Sequence, residues 1–134
     1  MANALYTVNA NAMLGGAGVD LDTVDIRAVL TDHGADTPAP TTDDFLDDIS
    51  AGTISTSVQL TTPSIAAGAI DFDDFVFSTV SGAESESITF YYHTGTPATS
   101  ALVAYFDTAT GLPVTPNGAD INVALNASGL FSLL

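Results

Sequence analysis

Residues 87–92 have the sequence Ser-Ile-Thr-Phe-Tyr-Tyr, and residues 101–106 have the sequence Ala-Leu-Val-Ala-Tyr-Phe. Both stretches are rich in β-branched and aromatic side chains, a composition typical of β-strands. The residues between them include Gly95 and Pro97, which favour a loop. We therefore expect two adjacent strands that pair as a hairpin.

The β pattern continues on both sides of this hairpin. Residues 24–31 begin with apolar side chains at alternate positions, and residues 73–80 place Phe75 and Phe77 on the same face of a strand. Further strands are predicted from residue 53 onward, at 65–70, at 121–125 and at 129–134. Turns recur about every 8 to 12 residues. The fold is therefore predicted to be mainly β, a β-sandwich or Greek-key barrel of about seven or eight strands.

One or two short helices are expected beside the strands. Residues 3–14 carry apolar side chains at helical spacing and are followed by a glycine-rich run. A second short helix is predicted to begin at Thr42 or Asp43, which can cap it, and to end at Gly52. We interpret residues 1–134 as a single domain, with residues 1–14 as an N-terminal helix or arm and residues 24–134 as the β core.

Composition excludes several classes of protein. The chain has 134 residues, 46% of them hydrophobic and 13% charged, so it is apolar enough to fold. Sixteen acidic residues against a single Arg or Lys give a net charge of −15. Because a phosphate-binding surface needs cations, we expect no nucleic-acid partner and no anionic membrane partner. No apolar run approaches the roughly 18 to 20 residues of a spanning helix, and no secretory signal is visible.

Catalytic signals are weak. The two histidines, His33 and His93, lie in no recognisable motif with a nucleophile, and cysteine is absent. Their neighbours suggest turn or surface positions. We therefore expect no enzymatic activity and no cofactor.

Aspartates cluster within residues 20–25, 43–48 and 71–74. Carboxylate oxygens suit Ca²⁺, although the spacing does not match an EF-hand. The favoured interpretation is that these side chains cap helices, close turns and keep the protein soluble. A Ca²⁺-dependent carbohydrate-binding module stays open as an alternative.

Several segments resemble a family of small, mostly uncharacterised virion proteins encoded among tailed-phage and prophage genes. The most specific is Asp-Thr-Ala-Thr-Gly-Leu-Pro-Val-Thr-Pro-Asn-Gly at residues 107–118. Residues 94–105 and 76–82 extend it, while residues 45–49 and 2–6 resemble the family's short helix and its opening. The resemblance covers most of the chain. It implies a virion component and supplies no catalytic residues.

The leading hypothesis is a non-enzymatic bacteriophage structural protein, most specifically a capsid decoration or cement protein on the outer surface of the assembled head. Its partners would be the major capsid protein and further copies of itself, as a trimer or a dimer. A tail or head-to-tail adaptor component is the alternative within the same class. The interface anchors predicted from their residue types are Tyr91, Tyr92, Tyr105 and Phe131.

Arg27 is the single basic residue of the chain other than histidine. Its position in a predicted strand, among an excess of carboxylates, favours a structural ion pair. A place in an interface is the second possibility.

Overall fold

The computed structural model describes residues 3–17 and 20–133. Within them it contains ten strands, one α-helix and two 3-10 helices. The elements in chain order are β1 (Ala4–Leu5), α1 (Thr7–Leu14), β2 (Ile26–Thr31), a 3-10 helix (Leu46–Gly52), β3 (Thr53–Thr56), β4 (Ser64–Ala66), β5 (Ala69–Asp71), β6 (Phe75–Phe77), β7 (Ser87–Tyr92), a second 3-10 helix (Pro97–Thr99), β8 (Leu102–Phe106), β9 (Ile121–Val123) and β10 (Phe131–Ser132).

A five-stranded antiparallel sheet, in the order β1-β8-β7-β2-β3, forms the centre of the molecule. The predicted hairpin is confirmed, since β7 pairs with β8 and Ile88 lies opposite Phe106. Strand β2 pairs with the other side of β7 over six residues, from Ile26 opposite Tyr92 to Thr31 opposite Ser87. The strand expected at 24–31 thus begins two residues later than predicted.

One face of this main sheet packs against two smaller sheets. Strand alternation directs Ile26, Ala28 and Leu30 of β2 to this face, and all three are almost fully buried. The covering layer consists of a three-stranded sheet, β10-β5-β4, and a two-stranded sheet, β6-β9. Phe75 and Phe77 share a face as predicted, with ring centroids 5.4 Å apart. The mainly β, sandwich-like fold predicted from the sequence is therefore confirmed.

The opposite face of the main sheet is also buried. A second cluster of fully buried side chains lies there, with Val8 of α1 and Leu46 of the first 3-10 helix packed against it. Its members are Tyr6, Val29, Ile49, Tyr91, Leu102 and Tyr105. Both faces of the central strands thus contribute to the core, which is why β7 and β8 are almost continuously buried.

The N-terminal helix predicted over residues 3–14 is wrong in its first half. Ala4 and Leu5 form β1, which pairs antiparallel with Tyr105 and Ala104 of β8. The extended backbone continues through Tyr6, whose side chain is fully buried and whose hydroxyl lies 3.2 Å from Thr89 Oγ1. Helix α1 begins only at Thr7, because sheet pairing fixes the backbone before it.

Two other predictions need correction. The second helix is a 3-10 helix that begins at Leu46, since Phe45 before it is extended and bridges Ala101. The segment 65–70 is a hairpin rather than one strand, because Ala67 and Gly68 adopt positive φ angles of 51° and 78°. Such short pieces raise the number of strands above the seven or eight expected. No helix in the described ranges combines the length and apolarity needed to span a bilayer.

Candidate functional site

Two of the four predicted aromatic anchors lie in the core. Tyr91 is 1% exposed and Tyr105 is fully buried, both beneath the helical side of the main sheet. The prediction that they form surface anchors is therefore wrong for the folded chain. The physical reason is that strand alternation turns them toward the face that α1 and the first 3-10 helix cover.

The other two anchors are partly accessible. Tyr92 and Phe131 are half-buried and pack against the core cluster on the sandwich side. Phe131 stands on β10, beside an apolar opening in the surface. It is the one predicted anchor that lines this opening.

Arg27 forms the structural ion pair that the sequence favoured. Its Nε and Nη2 atoms donate to the two carboxylate oxygens of Asp25 at 3.0 and 2.9 Å. The hydrogen bonds to Asp25 raise the pKa of the guanidinium above its ordinary value. Because both side chains remain more than a quarter exposed, we expect the pair to contribute at most about 1 kcal/mol.

The opening beside Phe131 is a groove of about 500 Å³, called here the C-terminal groove. It lies between the main sheet and the segment that leads from β9 to β10. Its apolar lining comes from Ile88, Phe90 and Phe106 on the sheet side and from Leu125, Leu130 and Phe131 on the other. An adjoining hollow of about 170 Å³ shares Phe106 and Phe131 and extends the groove along β1.

Hydrogen bonds between distant parts of the chain fix both walls of the groove. Asn3 Nδ2 donates to the Thr108 carbonyl at 3.0 Å, and Asn3 Oδ1 accepts the N–H groups of Asp107 and Thr108 at 3.1 and 2.9 Å. These bonds tie β1 to the end of β8. On the other wall, the Leu130 N–H donates to the Ile70 carbonyl at 2.7 Å. The groove is therefore built into the fold at both of its sides.

Three aspartates lie near the groove without lining it. Asp107 follows directly after β8, and Asp74 Oδ1 accepts the N–H of Leu125, a lining residue, at 2.8 Å. Burial opposes ionisation of Asp107, but hydrogen bonds such as that from Thr108 Oγ1, at 2.9 Å, outweigh it, and the pKa of Asp107 lies below its ordinary value. Asp71 lines a smaller hollow together with Ser128 and Gly129, which also line the groove. The residues that line the groove itself are uncharged, and the nearby carboxylates of Asp107 and Asp74 are held by hydrogen bonds to Tyr105 and to the Leu125 N–H.

A second cluster of polar side chains surrounds His33. Its Nε2 lies 2.9 Å from Ser87 Oγ and 3.4 Å from the Tyr105 hydroxyl, which in turn donates to Asp107 Oδ2 at 3.3 Å. A histidine beside a serine hydroxyl is the pairing that activates a nucleophile in hydrolases. Ser87, however, is fully buried, so a substrate atom has no approach to its hydroxyl. The arrangement is suited to joining the ends of β2, β7 and β8.

Sequence reasoning missed this cluster because its members are far apart in the chain. His33 lies in the loop where it was expected, yet its ring turns inward rather than toward solvent. His93 follows β7 and contacts the ring of Tyr91 at a centroid distance of 6.1 Å. Its Nδ1 is buried and has no hydrogen-bond partner in the structure as described.

The aspartates mainly hold loops and turns, as the favoured interpretation predicted. Asp32, Asp43 and Asp120 accept backbone N–H groups at 2.6 to 2.7 Å. Asp48 Oδ2 accepts two, from Asp44 and Phe45. Across residues 3–17 and 20–133, no group of three or more acidic or histidine side chains is arranged to hold a metal ion. The calcium alternative thus gains no ligand cluster in this part of the chain.

No protein-family model matches the chain, and a search of curated proteins finds no similar sequence. The resemblance to phage virion proteins therefore stays a prediction from the sequence. The C-terminal groove is the surface feature on which a functional proposal can be built.

Proposed function

We propose that this chain is a non-enzymatic virion structural protein of a tailed phage, acting as a capsid decoration protein that binds the major capsid protein of the assembled head. The observation that carries the proposal is the C-terminal groove, an accessible surface of about 500 Å³ with a mainly apolar lining. Apolar side chains that enter such a groove would supply the buried anchors on which protein interfaces depend.

The charge of the molecule supports a position on the outside of the shell. At −15, with Arg27 already bound to Asp25, the chain has no free Arg or Lys to neutralise phosphates, and its net charge opposes binding of nucleic acid. A protein exposed on the outer surface has no need to contact the packaged genome. Binding as dimers or trimers at the symmetry positions of the head would place many copies on one particle.

The buried position of Ser87 supports the non-enzymatic part of the proposal. Catalysis by a serine and histidine pair requires a substrate carbonyl within reach of the hydroxyl. Here the serine is fully buried, and its hydroxyl lies 2.9 Å from His33 Nε2.

The test is the copy number and radial position of the chain in virions purified from the phage that encodes it. We expect a fixed stoichiometry of hundreds of copies per particle, measured by quantitative mass spectrometry, and labelling on the outer surface of the head. Purified protein added to expanded heads that lack it should restore the same stoichiometry.

Other outcomes overturn the proposal in distinguishable ways. About six or twelve copies per particle would favour a neck or tail component instead. Absence from particles would refute a virion role altogether. Heat of binding with Ca²⁺ and host glycans, together with a raised melting temperature, would favour the carbohydrate-binding alternative.

A further inference from the structure

The turn before β9 contains the one Asn-Gly pair of the sequence, Asn117-Gly118. Asparagine is a chemically labile residue, and a glycine after it leaves the next backbone nitrogen without a shielding side chain. In deamidation this nitrogen loses its proton and bonds to the Asn side-chain carbon, Cγ. The side-chain nitrogen takes up a proton and leaves as ammonia. Water then opens the cyclic imide to give aspartate or isoaspartate.

Solvent reaches this pair freely. Asn117 and Gly118 are both exposed. A Cβ placed on Gly118 would meet nothing within 4 Å, so no neighbouring atom crowds the glycine on that side. Any protection of Asn117 must therefore come from the hydrogen bonds of the turn rather than from burial.

Those hydrogen bonds oppose the reaction. The Gly118 N–H, whose nitrogen must attack, donates to the Val80 carbonyl at 2.7 Å. Val80 is 2% exposed, so the acceptor belongs to a residue of the core. The Asn117 side chain is held as well, because its Oδ1 accepts the Ala119 N–H at 3.0 Å. While the bond to Val80 is closed, the attacking nitrogen keeps its proton.

The segment that carries Val80 needs bonds of its own. Thr79 is β-branched and has a φ of 51°, in the left-handed region, which is strained for such a residue. The Thr79 N–H donates to Asp120 Oδ1 at 2.7 Å, and the Val80 N–H donates to the Ala119 carbonyl at 3.0 Å. Loss of the Asp120 carboxylate should therefore favour separation of Val80 from Gly118.

We propose that Asn117 is a site of spontaneous deamidation that the folded chain holds inactive, and that it reacts when Gly118 separates from Val80. Either product replaces a neutral amide with a carboxylate. Isoaspartate also routes the backbone through Cβ, which adds a methylene before Gly118, so the turn loses the length that its bonds to Val80 require. Modification thus makes a transient opening permanent. The inference is independent of the proposed function.

The test compares the full chain when folded and when unfolded in urea, at the same mildly alkaline pH and temperature. Peptide mapping by mass spectrometry detects conversion of Asn117, and an isoaspartyl methyltransferase measures the isoaspartate. We expect the folded chain to react at least about tenfold more slowly, because only the open fraction reacts. Hydrogen exchange of the Gly118 amide should be slowed by the same factor, within about threefold, since the same opening frees its proton.

Two variants of equal net charge locate the protecting contact. Asp120→Ala removes the acceptor of the Thr79 N–H, whereas Asp74→Ala removes the acceptor of the Leu125 N–H, beyond the other end of β9. In the folded chain, Asp120→Ala should accelerate conversion of Asn117 about fivefold, the effect of one lost hydrogen bond on the open fraction. Asp74→Ala should stay within about twofold of wild type. Each rate is divided by that of the same variant in urea, which removes any direct effect of the lost charge.

Several results would overturn the inference. Equal rates in the folded and unfolded chains would show that the fold gives no protection, and an unreactive Asn117 in urea would show that there is no site. Equal acceleration by both variants would mean that the reaction follows global unfolding. If Asp120→Ala does not fold, the wild-type comparison decides alone, since protection of Gly118 that differs from the protection of Asn117 would separate the two events.

Discussion

At the scale of single residues, the Tyr105 hydroxyl links a histidine and a carboxylate by hydrogen bonds. It lies between His33 Nε2 and Asp107 Oδ2, on a side chain with no exposed surface. Burial, reinforced by the nearby Asp107 carboxylate, raises the pKa of Tyr105 from 10.0 to about 12. Burial likewise raises the pKa of Tyr6 above its usual range. Both hydroxyls therefore stay neutral in the folded chain at pH values where an unfolded tyrosine ionises.

This difference predicts a loss of stability at alkaline pH. A raised folded-state pKa contributes stability that is complete below pH 10 and is lost as the pH rises toward about 12. In Tyr105→Phe the free energy of unfolding should be about 1 kcal/mol lower at neutral pH, where His33 and Asp107 lose a partner. It should also fall less steeply between pH 10 and 12. Urea unfolding across this range measures both effects, and parallel curves for the two proteins would contradict the assignment.

At the scale of single elements, the first 3-10 helix depends on one carboxylate. Asp48 Oδ2 accepts the N–H groups of Asp44 and Phe45 at 2.9 and 3.0 Å, and these bonds lower the pKa of Asp48. Ile49, one residue later, is fully buried in the helical-side cluster. The cap therefore positions a core residue as well as the helix.

Replacing this cap should destabilise the protein. We expect Asp48→Ala to lower the free energy of unfolding by about 1 kcal/mol at neutral pH. Because the pKa of Asp48 is lowered, the wild-type advantage should be present above about pH 4 and disappear as the pH falls further. Asp47→Asn removes the same charge from the neighbouring residue, which accepts neither N–H group, and is the matched control. Equal losses in the two variants would show that net charge, not capping, is responsible.

Gly118 and Gly129, in the C-terminal segment, both have a positive φ, but a side chain at Gly129 would also meet a neighbouring backbone. The two φ angles are 88° and 101°. A Cβ at Gly118 would meet nothing within 4 Å, whereas one at Gly129 would lie 2.8 Å from the Ile70 carbonyl oxygen. The approach at Gly129 is therefore what allows β10 to lie against β5.

We expect Gly118→Ala to cost about 1 kcal/mol of stability, from the left-handed backbone alone. Gly129→Ala should cost about 1 to 3 kcal/mol more, because the backbone of β5 must move. Amide hydrogen exchange at Leu130, whose N–H bonds to Ile70, should accelerate only in Gly129→Ala. Equal losses of stability in the two variants would mean that the backbone around Gly129 can move away from Ile70 without an energetic cost.

The strands were predictable where local sequence and burial agree. Ser87–Tyr92 was delimited in full, because the five residues after Ser87 are β-branched or aromatic and nearly all of the segment is buried. Ala4–Leu5 was not, since its extended backbone depends on pairing with residues a hundred positions away. Likewise, no local signal distinguishes Tyr91 from Tyr92, although one enters the core and the other stays half-exposed. The C-terminal groove could not be predicted, because its walls come from distant parts of the chain.

At the scale of the whole molecule, repulsion among like charges opposes folding. Sixteen acidic residues are balanced by one Arg, so the compact state concentrates a net charge of −15 in a small volume. Few ion pairs exist to be weakened by salt, and the described residues contain the Arg27–Asp25 pair as their one Arg or Lys bridge. Added salt should therefore screen the repulsion among carboxylates, which opposes folding, while it weakens few attractive ion pairs.

This balance predicts that salt stabilises the protein. Raising sodium chloride from about 10 to 150 mM shortens the Debye length from about 30 to 8 Å, and the melting temperature should rise by several degrees. Differential scanning calorimetry at constant pH measures the change, with sucrose as an uncharged comparison. A melting temperature that falls with salt would mean that attractive pairs outweigh the repulsion.

The position of β1 also bears on how the molecule is assembled during translation. Ala4 and Leu5 pair with Tyr105 and Ala104, so β1 can pair only after a strand about a hundred residues later has been synthesised. Until β8 has been synthesised, the sheet lacks both its edge strand and the strand to which that edge binds. Completion of the main sheet therefore depends on a contact between segments far apart in the chain, which is a slow kind of contact to form in folding.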